Sequence, residues 1–127
     1  MKEIYKTREG YRCHSLVELP PSTPKEFIYL IQIGEPTCGR KLIKIGTTNN
    51  VRRRMGQLVR HYKQNITIFW VSNPYAHFTT LRVEDEMKNV WRAYAGFEHI
   101  PNDRFWIPET VRQLSIKVKK EYTVELS

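Results

Sequence analysis

The chain has 127 residues, 40% apolar and 12% aromatic, and its 21 Lys and Arg against 13 Asp and Glu give a formal net charge of +8. That length supports one domain around a single core, and the composition excludes a disordered chain. No apolar run approaches the ~18 residues of a membrane span, and Met1 to Lys6 lack the apolar stretch of a signal peptide.

A cytoplasmic protein is therefore expected. Cys13 and Cys38 form no C-x-x-C pair, so the thiols are expected to be reduced and a zinc site is not. The excess of positive charge favours a polyanionic partner through phosphate attraction and counterion release, a basic protein with no such partner being the alternative.

Residues 1–24 scatter apolar positions among charges and end in Pro20-Pro21-Ser22-Thr23-Pro24, which reads as an N-terminal arm or added strands joined by a stiff connector. Residues 25–122 form the main domain. In Glu26 to Ile33 nearly every position is apolar, as in a central strand covered on both faces. Gly34 to Gly39 reads as a hairpin loop and Leu42 to Gly46 as its second strand. Thr48, Asn49 and Asn50 then precede Val51, Met55, Leu58 and Tyr62, a helical spacing with a capping group in front of it. Arg54 falls on the flank of that apolar face, whereas Arg52, Arg53 and Arg60 point farther away and His61 lies almost above Arg54.

Ile66 to Asn73 predicts a third strand. A helix over about Phe78 to Tyr94 follows, with Leu81, Met87 and Trp91 on its buried face. Glu84 projects into that face, and a carboxylate among apolar neighbours is costly unless it is paired or binds a metal. A salt bridge to a nearby Lys or Arg and a metal site are both open. Arg104 to Ile107 reads as a short strand, and Pro108 opens a last amphipathic helix with Val111, Leu114, Val118 and Tyr122 on one side. The expected fold is α/β (α+β), with a small three-stranded, mainly antiparallel sheet flanked by helices.

Phe27-Ile28-Tyr29, Lys44-Ile45-Gly46, Thr48, and Arg54 eight residues past the glycine resemble the motifs of the GIY-YIG nucleases, above all their small phage- and prophage-type branch. Glu84, Met87 and Trp91 are similar to the E-x-x-L-x-x-x-F pattern of that branch, and the segment around Phe105 partly resembles its E-W-F element. Three positions depart from the pattern: Phe27 for the first glycine, Lys44 for the second tyrosine, and Leu58 for a histidine. Asn102 is a candidate for a late asparagine.

The resemblance implies a metal-dependent DNA endonuclease with Tyr29 as base, Arg54 as phosphate clamp and Glu84 as the sole protein ligand of Mg2+ or Mn2+. Lys44 beside Tyr29 is expected to favour the phenolate. Arg40, Lys41, Arg52, Arg53 and His61 are read as nucleic-acid contacts, and two copies could pair to cut both strands. A catalytically impaired, basic DNA-binding or regulatory module on the same fold is the alternative.

Overall fold

Phe27–Thr37 (β3) and Arg40–Thr48 (β4) pair antiparallel across a two-residue turn, Cys38–Gly39, with both residues at positive φ (53° and 76°). Turns of that hand match the twist of the strands they join. The computed structural model describes residues 1–126, and in it most of the loop expected over 34–39 is strand. The pairing register is irregular between Ile33 and Thr37, where Gly34 takes a φ of 72°. Phe27, Tyr29, Ile31 and Ile33 face one side of β3, and Ile28 and Leu30 the other, all of them buried. The two-sided cover expected of this strand is present.

Ile66–Val71 (β5) pairs antiparallel with the other edge of β3. The three strands foreseen from the sequence are thus the centre of a wider, seven-stranded mixed sheet, ordered β1-β2-β5-β3-β4-β7-β6. Its further strands are Lys2–Lys6 (β1), Arg12–Ser15 (β2), Glu98–Ile100 (β6) and Arg104–Pro108 (β7). The N-terminal arm is the hairpin β1–β2, and β2 runs parallel to β5 with Cys13 opposite Ile66. β1, β2 and β6 have only five, four and three residues, and β1 and β6 are the open edges of the sheet, so none carries a clean apolar alternation.

Two helices cover opposite faces. Val51–Tyr62 (α1) is capped by Asn50, whose side-chain oxygen accepts from Arg53 N at 3.1 Å, and lays Val51, Met55, Leu58 and Val59 on the Tyr29 side of the sheet. His77–Arg92 (α2) lays Val83, Met87 and Trp91 on the Ile28 side. Leu81, expected on that buried face, is 42% exposed, and Val83 and Thr80 are the residues that turn inward. Among the described residues no helix is long and apolar enough to cross a membrane.

The last helix is absent. In its place Gln113–Val118 (β8) and Lys120–Glu125 (β9) form a separate antiparallel hairpin over the α2 side of the sheet. Positions 111, 114, 118 and 122 fit a helical stripe, but Leu114, Ile116 and Val118 also alternate, and only the strand buries all three. Ile116 is fully buried and Lys117 is exposed. Ile116→Ala should cost about 2–5 kcal/mol in denaturant unfolding, while Lys117→Ala should stay within about 0.5 kcal/mol. Similar costs for the two would contradict the hairpin.

Candidate functional site

A cluster of polar residues gathers at the Gly46 end of β4. Gly46 lies opposite Tyr29, and a Cβ there would collide with the phenol ring and hydroxyl, so the close approach of Tyr29 requires glycine. Two residues earlier Lys44, 8% exposed, donates from Nζ to the Asn102 carbonyl at 2.6 Å. The β4–β7 pairing stops at Lys44–Arg104, and the turn before β7 then crosses the strand end, with Ile45 N donating to Asp103 O at 3.2 Å. Asn102 and Asp103 both hold positive φ (67° and 58°), a costly backbone that places the Asp103 carboxylate against α2.

Both helices and β7 add to the cluster begun by β3 and β4. From α1, Arg54 stands beside the Tyr29 hydroxyl, favouring the phenolate by charge and hydrogen bonding. From α2, Glu84 is 12% exposed in its side chain and lies 3.8 Å from Lys88 Nζ, which also reaches Asp103 Oδ1 at 3.0 Å and Asp85 Oδ1 at 3.3 Å. Arg104 from β7 lies over the Tyr62 ring, 5.3 Å from its centroid, and donates to the Pro101 carbonyl at 2.9 Å.

The protonation states follow from these neighbours. Burial raises the Tyr29 pKa above its ordinary value, with Arg54 opposing and Glu84 and Tyr62 adding to the rise. The Lys44 ammonium, expected beside the Tyr29 phenol, donates to the Asn102 carbonyl and is drawn to Asp103 and Glu84. Its own pKa is lowered by burial against the pull of those two carboxylates. Glu84 is pushed up to about 7, by burial first and then by the charge of Asp103 and a hydrogen bond with it. Asp103 moves down: burial works against its charge, but the Lys88 ammonium outweighs it.

Tyr29, Arg54 and Glu84 therefore meet, with Lys44 joining through Glu84 and Asp103. The expected nucleic-acid contacts divide. Arg52, Arg53 and His61 are exposed on α1. Arg40 is exposed at the far end of β4, paired with Glu98 at 3.3 Å and lying over Trp106. Lys41 is 3% exposed and donates to the Val111 carbonyl at 2.6 Å, so its ammonium ties the β7–β8 connection and is not offered at the surface. Asn102 supplies a backbone carbonyl to Lys44. Lys88 and Asp103 were not foreseen. Lys88 could have been found at i+4 from Glu84, where opposite charges meet on a helix; Asp103 arrives only through the fold.

A helix-flanked mixed sheet with a buried polar cluster on its central strands is the frame into which the family fits. Residues 26–120 match the T5orf172 domain, and the chain belongs to that family. Membership suggests a phage-type domain, nuclease-like or DNA-binding. It corrects the resemblance to GIY-YIG nucleases, for which the family match gives no support. No curated protein and no solved structure matches the chain significantly.

The raised pKa of Glu84 has a measurable consequence. Its folded value, about 7, lies above the ordinary 4.5, so between those limits the folded state holds a proton that the unfolded chain has lost. Stability from this group is full below pH ~4.5 and falls as pH rises through 7. Glu84→Gln, which keeps a donor toward Asp103 without ionising, should gain on the order of 2 kcal/mol over wild type at pH 8 and nothing at pH 4. Thermal melts at the two pH values read this as a Tm gain of several degrees at pH 8 only. A loss of Tm at pH 8 would contradict it.

Proposed function

We propose that the chain is a DNA-directed phosphodiester hydrolase that works with a divalent metal ion. The observation that carries this reading is the convergence of Arg54 and Glu84, from two different helices, on Tyr29 of the central strand. Hydrolysis of a phosphodiester needs a proton acceptor for water, a charge clamp on the phosphate and a counter to charge on the leaving oxygen. The net charge of +8 makes DNA the natural partner.

The donor set fits a hard cation. Glu84 and Asp103 are neighbouring carboxylates that share a hydrogen bond, and Glu84 is pushed toward its neutral form by burial and by the charge of Asp103. Among the described residues no three His, Cys, Asp or Glu converge, so these two carboxylates and water would hold the ion, as suits magnesium or manganese. When bound, such an ion supplies Lewis-acid stabilisation at the leaving oxygen.

The protein's own groups do the rest. Arg54 offers a planar fork that grips two phosphate oxygens. Tyr29 accepts the proton of the attacking water, with Arg54 offsetting part of the cost of the phenolate. Burial keeps that phenol protonated at neutral pH, so the rate should climb with pH as the phenolate forms. Lys44 holds the Asn102–Asp103 turn in place and keeps positive charge beside Glu84.

A second reading, DNA binding without cleavage, draws support from Lys88. Its ammonium already bridges Glu84 and Asp103, and a salt bridge of that kind is a sufficient structural reason for the pair. Plasmid cleavage with Mg2+, Mn2+ or EDTA separates the two. The hydrolase reading expects cleavage that EDTA stops and that Glu84→Ala abolishes with DNA affinity retained. Arg54→Lys, which keeps charge but loses the fork, should lower the rate at least about tenfold, and Tyr29→Phe should remove activity across the pH range. DNA binding without cleavage under any divalent metal would establish the second reading instead.

A further inference from the structure

Four cations converge on the N-terminal hairpin, which lies outside the family match and takes no part in the proposed reaction. A half-open cavity of about 570 Å³ sits between the β1–β2 turn and the C-terminal end of α1, within the ~300–1,000 Å³ of small-ligand sites. Lys6, Arg8, Arg60 and Lys63 line it against one carboxylate, Glu9, and Tyr5 and Tyr11 give it aromatic walls.

The fold holds these groups in position. Thr7 N donates to Tyr11 O at 2.8 Å and Tyr11 N donates to Thr7 Oγ1 at 3.1 Å, closing the turn that carries Arg8. Arg60 donates to the Tyr5 hydroxyl and lies 5.6 Å from the centre of that ring. Tyr5 in turn rests on α1 at Gly56, where an added Cβ would stand 3.3 Å from the ring. Lys63 caps the helix at a φ of 52°. Like charges gathered in one concavity repel, and an anionic occupant relieves that cost.

We propose that this cavity binds one nucleotide of the DNA strand that flanks the reacting phosphate, its phosphates on Arg8 and Lys63 and its base on Tyr11. The inference rests on the DNA-directed reading above. Cations interleaved with aromatic rings are how single strands are held, each base having a face to stack. Arg60 follows Arg54 by six residues, ~9 Å along the helix axis, so one strand can reach both places. Exposed Arg52 and Arg53 on the same helix extend the positive surface toward its N-terminus.

The test is fluorescence anisotropy with a labelled single strand of about 12 nucleotides in EDTA, over a range of salt. Arg8→Gln with Lys63→Asn, the asparagine suiting positive φ, should weaken binding about 5–10-fold near 0.1 M salt and lower the salt slope by about 1.4. Tyr11→Leu should weaken binding several-fold without changing the slope. Lys117→Gln with Lys120→Gln, the same charge removed from the distant hairpin, should change affinity less than about twofold. Thermal melts establish that each variant is folded. Wild-type affinity and slope in the Arg8/Lys63 variant, or an equal loss in the Lys117/Lys120 variant, overturns the inference and leaves the hydrolase reading standing. No effect of Tyr11→Leu overturns the nucleotide assignment. Absence of DNA binding by the wild type overturns both this inference and the reading beneath it.

Discussion

Strand β3 has no free face: one side of it belongs to the α1 core and the other to the core under α2 and the β8–β9 hairpin. A sheet covered on both sides tolerates polar groups only where each finds a partner within the protein. β4 obeys this rule at its buried polar positions. Gly46 withholds a side chain so that the Tyr29 ring can lie across it, and Lys44 discharges onto the Asn102 carbonyl. The β7 pairing ends at the same level, so the turn with two left-handed residues, both helices and both central strands are bound to one locus.

That locus has a surplus of positive charge. Lys44, Arg54, Lys88 and Arg104 surround two carboxylates, of which Glu84 leans toward its neutral form and Asp103 toward its ionised one. Two carboxyl groups in contact divide the roles because both cannot ionise cheaply in a buried setting. The imbalance suits a phosphodiester, whose negative charge finds an environment already short of it.

The long periodic segments were legible in the sequence: β3, β4, α1, β5 and α2 all follow from their apolar spacing, and Asn50 caps where its side chain predicts. The chain end was not. Positions 111, 114, 118 and 122 satisfy two periods at once, and the choice fell to Ile116, a residue that pays only in a strand. The strands of the arm and β6 are too short and too exposed to carry a pattern of their own. Within the site, residues on the central strands and helices could be brought together by counting, whereas Asp103 depends on a turn with special backbone angles. Lys41, read as a nucleic-acid contact, and Lys44, read as the neighbour of Tyr29, both have buried ammonium groups held by single carbonyl oxygens. A charged side chain's inward course along a strand depends on which loops arrive above it.

The parallel pairing of β2 with β5 joins residues some fifty positions apart, whereas β3 meets both its partners through shorter connections. The arm is held by the β2–β5 pairing and by Tyr5 resting on α1 at Gly56. Cys13 lies in that seam, fully buried, its thiol pushed up to about 12 by burial. While the seam is closed the sulfur is chemically silent. A thiol reagent can reach it only where that seam is open.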